Sequence, residues 1–201
     1  MRKSLAFLPN GITILRFLLT GWFVWILADR LVQDSAGPFA APYLLFAGIC
    51  LTDLLDGAAA RGFKAESAWG SVLDVSADSL FILSSLILFN IFEVLPVWFT
   101  MFVLADFAAF LATSRLLIRM RRRNVRRVLV FDRPGKIAAV LFYFVPIAAW
   151  AAYSHPAGQS PFACRALLCV SAFLAGVSMS ARLFSCFAAL RSERGLWLRG
   201  K

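Results

Sequence analysis

The chain has 201 residues, of which 61% are hydrophobic, and its mean hydropathy is +0.77. An average soluble domain is about 45–50% apolar, so this composition excludes an ordinary soluble fold and favours helices exposed to lipid. The formal net charge is +10, but the Lys and Arg residues cluster between apolar runs and at the two ends. We therefore expect contact with anionic lipid head groups and no binding of nucleic acid.

Six apolar runs predict six transmembrane helices, in an all-α bundle that forms a single membrane domain over residues 1–201. In chain order the runs are Ile12 to Leu31, Tyr43 to Ala60, Trp69 to Phe89, Val94 to Ile118, Ile137 to Tyr153 and Phe162 to Leu190. Ser4 to Pro9 are compatible with a short N-terminal helix on the membrane surface. The first run lacks a following small-residue cleavage site, so we expect it to remain in the mature protein.

Basic residues predict the orientation of these helices. Arg2 and Lys3 precede the first run, Arg61 and Lys64 follow the second, and a dense basic segment from Arg119 to Lys136 follows the fourth. The alternate connections are poor in positive charge. Under the positive-inside rule, both termini and the basic connections face the cytoplasm. We expect the dense basic segment to anchor anionic lipid.

Four aspartates lie within the second and third apolar runs, where each costs at least about 2.5 kcal/mol to place in lipid. Asp53 and Asp56 are three residues apart, and Asp74 and Asp78 are four apart, so each pair shares one helix face. The opposite directions of the two helices bring both pairs to the same depth. Unpaired, these carboxylates would repel each other, and oxygen ligands favour hard divalent cations such as Mg²⁺ or Mn²⁺.

The aspartates belong to a longer motif that resembles the signature of the CDP-alcohol phosphotransferases. The motif reads Asp53-x-x-Asp56-Gly57-x-x-Ala60-Arg61, followed after eight residues by Gly70-x-x-x-Asp74-x-x-x-Asp78. Every defining position of the family signature is filled. The first run opens with Pro9-Asn10-Gly11-Ile12-Thr13-Ile14-Leu15-Arg16, similar to the P-N-x-x-T-x-x-R opening common in bacterial members.

The resemblance implies a metal-dependent reaction of phospholipid synthesis. Asp53, Asp56 and Asp74 would hold two divalent cations, Mg²⁺ or Mn²⁺, and Asp78 would bind the second cation and act as general base. A phosphatidyl group would pass from CDP-diacylglycerol to an alcohol acceptor, with release of CMP. The family also suggests a homodimer. The opening motif common in bacterial members suggests a bacterial inner (plasma) membrane, with the active site on the cytoplasmic side.

The resemblance places the nucleotide of the donor beside the small residues of the motif. Gly57, Ala60 and Gly70 would leave room for it, and Arg61 offers a planar positive group for phosphate. The candidate nucleotide contacts are Asn10, Thr13, Asp53, Gly57, Ala60, Arg61 and Gly70. The glycines also suit close helix packing, and Asn10 could simply cap the first helix beside a neutral Thr13.

Three basic residues are candidates for the acceptor phosphate: Arg115, Lys136 and Arg182. All three could reach one membrane depth, although each could instead extend toward lipid head groups. The opening motif and the Gly135-Lys136 pair resemble phosphatidylglycerophosphate synthases, which implies glycerol 3-phosphate as acceptor.

Two departures keep the acceptor open. Val75 and Ser79 replace the Pro and Lys usual after the third and fourth aspartates, and Ala138-Ala139 replace a Lys-Thr pair. Inositol phosphate, serine and phosphatidylglycerol therefore remain alternative acceptors.

Two further hypotheses belong to different functional classes. A membrane scaffold could keep the bundle without turnover, but the complete motif speaks against it. A transporter could also carry acidic and basic residues inside its helices. However, the carboxylates gather at one end of the bundle, with no polar path through the bilayer, and this favours an enzyme.

Overall fold

A computed structural model describes residues 7–34, 39–62, 68–120, 133–155 and 160–199, and within them the chain is helical without strands. The helices are α1 (Phe7–Val32), α2 (Ala41–Gly62), α3 (Ala68–Ile91), α4 (Val97–Met120), α5 (Arg133–Ser154) and α6 (Ser160–Arg199). The prediction of an all-α bundle built from six helices is confirmed. The cytoplasmic placement of the termini stays a prediction.

Five of the helices, all except α2, are long and apolar enough to cross a membrane. Within α2 the described apolar segment is shorter and covers Ala41–Leu55. Large apolar side chains point outward, among them Trp22 and Trp25 of α1 and Phe173 of α6. Because lipid rather than water suits such a surface, the chain is a membrane protein.

The first helix differs from its predicted start. It begins at Phe7, ahead of the predicted Ile12, so Phe7 to Pro9 are part of α1 rather than of a separate surface helix. The remainder of that predicted surface helix, residues 4–6, lies outside the described residues. Proline is tolerated at Pro9 because the first turn of a helix has no intrahelical partner for its backbone nitrogen.

The turn between α3 and α4 moves the start of the fourth helix from the predicted Val94 to Val97. Glu93 adopts a left-handed backbone conformation with φ of 57°, and the Asn90 side-chain amide donates to the Leu95 carbonyl at 3.2 Å. Pro96 follows directly, and proline disfavours a helical residue before it. The apolar pattern continues through this turn, so it could not reveal the break.

Helix packing places α1 in contact with the two helices that carry the aspartates. It packs against both α2 and α3, as does α5. Among the described residues, no Cα of α2 lies within 8 Å of a Cα of α3. Over their described residues the acidic helices are therefore joined through α1 and α5 rather than packed directly on each other. The remaining contacts of α4 and α6 complete the bundle.

An aromatic cluster of Phe23, Phe46, Phe81 and Tyr143 ties these same four helices together. The Phe81 ring lies 5.2 Å from that of Phe23, 6.0 Å from that of Phe46 and 4.9 Å from that of Tyr143. Phe81 is three residues after Asp78, so the cluster lies about one helical turn deeper than the carboxylates. It fixes the spacing of the helices beneath the site.

The opposite end of the bundle has its own contacts. Tyr153 at the end of α5 donates a hydrogen bond to Asp34 after α1, at 3.1 Å between the two oxygens. The guanidinium of Arg30 lies 3.6 Å from the centre of the Phe39 ring, just before α2. These contacts hold the end of α1, the start of α2 and the end of α5 together, on the side away from the aspartates.

Candidate active site

Three of the four motif aspartates meet in the structure. Carboxylate oxygens of Asp53 on α2 and of Asp74 and Asp78 on α3 all lie within 4.8 Å of one another. The side chains of Asp53 and Asp74 are 44% and 43% exposed, and that of Asp78 is 30% exposed. The predicted same-face arrangement of Asp74 and Asp78 therefore does aim both at the aspartate of the other helix.

Arg16 of α1 occupies the centre of this acidic group. Its Nη1 donates to Oδ1 of Asp74 at 2.6 Å and to Oδ1 of Asp78 at 3.1 Å. Its Nη2 lies 3.0 Å from Oδ1 of Asp53. One guanidinium thus joins carboxylates from both acidic helices, and its own side chain is completely buried.

The position of Arg16 explains why α1 lies where it does. The residue falls inside the candidate span Gly11–Val32, and an arginine in such a place is costly unless it is paired. Pairing with Asp53 and with the α3 carboxylates meets that requirement. The same contacts offset the repulsion among the carboxylates. The pairing therefore lowers both the cost of a buried arginine and the cost of three neighbouring carboxylates.

The donor set fits hard divalent cations. Three carboxylates converge within reach of one ion, and carboxylate oxygen is the ligand that Mg²⁺ and Mn²⁺ prefer. Asp56 lies on α2 one helical turn after Asp53, but its side chain is outside the described residues. Asp53, Asp74 and Asp78 can therefore hold a metal, with Asp56 as the predicted fourth ligand.

The predicted nucleotide contacts are only partly described. Thr13 is buried on α1, one turn before Arg16. Asn10 lies inside α1, after its first residue Phe7, so the alternative that Asn10 caps the helix is wrong. The side chain of Asn10 and the surroundings of four motif residues are outside the described residues. These four are Gly57, Ala60 and Arg61 on α2 and Gly70 on α3.

The predicted acceptor residues lie on three different helices. Arg182 of α6 packs toward α4, since its guanidinium lies 4.6 Å from the centre of the Phe110 ring. Its Nε also donates to Ser178 at 3.3 Å. Lys136 is exposed near the start of α5. Arg115 is on α4, but its side chain is outside the described residues, as is most of the dense basic segment at 121–132.

The residues that depart from the usual motif have local roles. The Ser79 hydroxyl donates to the Val75 carbonyl of the same helix at 2.5 Å. Ala138 is buried against the core, whereas Ala139 is exposed. Serine instead of the usual lysine at position 79 removes one positive charge from the part of α3 that carries Asp78.

Arg16 is the residue of this site whose role the motif did not reveal. Sequence analysis identified it only as the last residue of the opening motif. A usable signal was present, because a single arginine early in an apolar run calls for a carboxylate partner in another helix. The sequence alone could not say which carboxylate, since helix periodicity does not show which helices pack together.

Comparison with known proteins gives a match over most of the chain. The family model described as CDP-alcohol phosphatidyltransferase matches residues 6–187. A cardiolipin synthase (CMP-forming) of Streptomyces coelicolor is 34% identical over 116 residues, which cover 56% of this chain and 52% of that protein.

Two other relatives carry different names. A probable phosphatidylglycerophosphate synthase of Mycobacterium tuberculosis is 33% identical, over 51% of this chain and 49% of that protein. A CDP-diacylglycerol–glycerol-3-phosphate 3-phosphatidyltransferase of Bacillus subtilis is 33% identical, over 49% of this chain and 55% of that protein. The chain spans about half the length of the relatives it matches.

Proposed function

Because the chain belongs to the CDP-alcohol phosphatidyltransferase family, we propose that it is a transferase of phospholipid synthesis. It moves a phosphatidyl group from CDP-diacylglycerol to an alcohol acceptor and releases CMP. The observation that carries this proposal is the convergence of Asp53, Asp74 and Asp78 within 4.8 Å at one end of the bundle. An amphiphilic donor suits this place, since its acyl chains can enter between helices while its nucleotide meets water.

The carboxylates serve two divalent cations, Mg²⁺ or Mn²⁺. Asp53, Asp56, Asp74 and Asp78 are the residues that hold them. Such ions, when bound, neutralise the donor's pyrophosphate and stabilise the charge that develops on departing CMP. The carboxylates alone could not bind the donor, because they would repel its phosphates.

Asp78 is the general base. It accepts the proton of the acceptor hydroxyl as that oxygen attacks the lipid-bearing phosphorus; the new P–O bond forms and the P–O bond to CMP breaks, so CMP leaves with the electron pair. Asp78 has the least exposed side chain of the three aspartates and lies closest in sequence to the aromatic cluster. Partial shielding from water suits a base that must act on the acceptor and not on bulk solvent.

The donor nucleotide binds along the start of α1 and the facing ends of α2 and α3. Asp53 belongs to the carboxylate group, Thr13 is buried one turn before Arg16 on α1, and the small motif residues leave space for the cytidine and ribose. The proposed contacts are Asn10, Thr13, Asp53, Gly57, Ala60, Arg61 and Gly70.

Glycerol 3-phosphate is the proposed acceptor. Two relatives carry names of this reaction, the M. tuberculosis phosphatidylglycerophosphate synthase and the B. subtilis phosphatidyltransferase. The phosphate of the acceptor would bind Arg115, Lys136 and Arg182, which supply positive charge from three helices.

Phosphatidylglycerol is the second candidate acceptor, favoured by the similarity to the S. coelicolor cardiolipin synthase. Like glycerol 3-phosphate, it offers a free hydroxyl on a glycerol that is esterified to phosphate. It differs in having one negative charge fewer and two acyl chains. The absence of a lysine at Ser79 is compatible with the less charged acceptor.

The test uses purified protein with CDP-diacylglycerol, Mn²⁺ and one acceptor at a time, including serine and inositol phosphate. CMP release is measured together with the mass of the lipid product. Release with glycerol 3-phosphate and formation of phosphatidylglycerophosphate are expected. A cardiolipin product identifies phosphatidylglycerol as acceptor, and no CMP release with any acceptor contradicts the transferase proposal.

We further propose a homodimer in the bacterial inner membrane, with the active site facing the cytoplasm. The S. coelicolor and B. subtilis relatives are bacterial, and the basic connections flank the end of the bundle that carries the aspartates.

Mass photometry of the protein in lipid nanodiscs tests the homodimer, because it gives the number of copies in each particle directly.

A further inference from the structure

Arg16 is a buried cation whose contacts coincide with the proposed metal site. Among the described residues Arg16 contacts three carboxylate oxygens, and all of them belong to proposed metal ligands, at distances of 2.6 to 3.1 Å. No role in the transfer reaction as proposed above requires it. Its complete burial and its three partners show that it is nevertheless part of the site.

We propose that Arg16 is an internal counter-charge that competes with divalent cations for the carboxylates. In the metal-free protein it holds the three oxygens together, and it gives them up when cations bind. Arg16 thereby keeps the site assembled without metal and sets the cation concentration at which the site fills. This inference rests on the proposed metal site.

The distances favour such a competition. Mg²⁺ binds carboxylate oxygen at about 2.0–2.1 Å. An ion at that distance from the oxygens that Arg16 contacts would lie within a few ångström of the guanidinium, where two positive charges repel strongly. Arg16 and a cation therefore cannot hold the same oxygens with full strength.

The charges explain why a counter-charge is needed at all. Asp53, Asp74 and Asp78 bring three negative charges within 4.8 Å inside largely apolar helices, against a single positive charge from Arg16. Without metal and without Arg16 these carboxylates would push α2 and α3 apart. In the described part of the chain α2 and α3 do not pack on each other, so this push would be resisted through their contacts with α1 and α5 and through the aromatic cluster.

The guanidinium has a shape that lysine lacks. Nη1 serves both carboxylates of α3 while Nη2 serves Asp53 of α2, so one planar group spans two helices. A lysine ammonium is a single point of charge and cannot reach both sides in the same way. Arg16→Lys therefore keeps the positive charge but loses the simultaneous contact with the carboxylates of α2 and α3.

The experiment measures Mn²⁺ binding to purified protein by electron paramagnetic resonance, without donor or acceptor. Arg16→Gln removes the competing charge, so Mn²⁺ should bind at least about fivefold more tightly than to the wild type. The metal-free variant should also melt at a lower temperature than the wild type and gain more thermal stability from Mn²⁺. Arg30→Gln is the matched control, since Arg30 is on the same helix at the opposite end against Phe39; its Mn²⁺ affinity should not change.

An unchanged or weaker Mn²⁺ affinity in folded Arg16→Gln overturns the proposal. Should that variant fail to fold, Arg16→Lys decides: Mn²⁺ should bind it at least about twofold more tightly, and an unchanged dissociation constant is the contrary result. Because no substrate is present, the outcome is independent of turnover. Absence of Mn²⁺ binding in every variant, including the wild type, would instead reject the metal site and this inference with it.

Discussion

At the scale of single residues, Asp78 has two roles that compete for the same carboxylate. It accepts a hydrogen bond from Arg16 at 3.1 Å, and the proposed reaction asks it to accept a proton. The hydrogen bond from Arg16 occupies Oδ1, one of the two carboxylate oxygens that could accept that proton. The proposed release of Arg16 on cation binding would leave Asp78 with a cation on one oxygen and the acceptor on the other.

Asp78→Asn should lower CMP release by at least about a hundredfold, because an amide cannot take the acceptor proton. The substitution keeps the size of the side chain and an oxygen for Arg16, so the melting temperature should stay close to that of the wild type. Asp29→Asn is the control, since Asp29 is an exposed residue of α1 that bonds Gln33. Turnover near the wild-type rate in folded Asp78→Asn would remove Asp78 as the base.

Arg182→Ala should raise the KM for glycerol 3-phosphate about tenfold and leave kcat nearly unchanged, as expected for lost binding of the acceptor phosphate. The comparison variant is Arg165→Ala, which removes an exposed arginine near the start of the same helix. Steady-state kinetics with varied acceptor concentration make the measurement. An unaltered KM would exclude Arg182 from the acceptor pocket.

At the scale of helices, the aromatic cluster determines where the carboxylates stand. Phe81 is fully buried and touches rings from the three other helices of the cluster. Membrane helices associate mainly through van der Waals packing, because lipid is as apolar as the protein interior. A void at Phe81 therefore affects the spacing of α1, α2, α3 and α5 together.

Phe81→Ala should destabilise the bundle by about 2 kcal/mol. The same substitution typically costs about 3–5 kcal/mol in a soluble core, but part of that cost comes from transferring the side chain out of water, which does not apply within lipid. Thermal unfolding in detergent measures the effect. Phe173→Ala offers a matched control, because Phe173 is largely exposed on the lipid-facing side of α6. Equal melting temperatures for the two variants would show that the cluster does not hold the helices.

The helices themselves were accessible from the sequence, and so was the pairing of the two aspartates on α3. Apolar runs located all six, and the spacing of Asp74 and Asp78 gave their shared face, because helix periodicity is a local property. The partner of Arg16 was not accessible, since it depends on which helices pack together. The contact of α1 with both acidic helices, and the lack of a direct contact between them in the described part, needed the structure.

At the scale of the whole molecule, orientation is the main property left as a prediction. The two ends of the bundle differ clearly. One has the Arg16 network, and the other has the Tyr153–Asp34 and Arg30–Phe39 contacts. If the basic connections face the cytoplasm, His155 must lie on the outer side.

Cysteine labelling in intact spheroplasts checks this orientation, in a background from which Cys50, Cys164, Cys169 and Cys186 are removed. A membrane-impermeant maleimide should react with His155→Cys from outside and with Lys201→Cys only after permeabilisation. Labelling of Lys201→Cys in intact cells would reverse the orientation and place the carboxylates on the outer side.

The network around Arg16 also has a consequence for biogenesis. Arg16 and its α3 partners are separated by 58 and 62 positions along the chain, so the first helix is synthesised well before the carboxylates of the third. Until α2 and then α3 emerge from the ribosome, α1 carries a charge that lipid disfavours. Asp53 of α2 can pair with Arg16 first, and Asp74 and Asp78 add their contacts once the third helix is made. A fragment that ends before Asp53 would therefore expose an arginine without any of these three carboxylate partners.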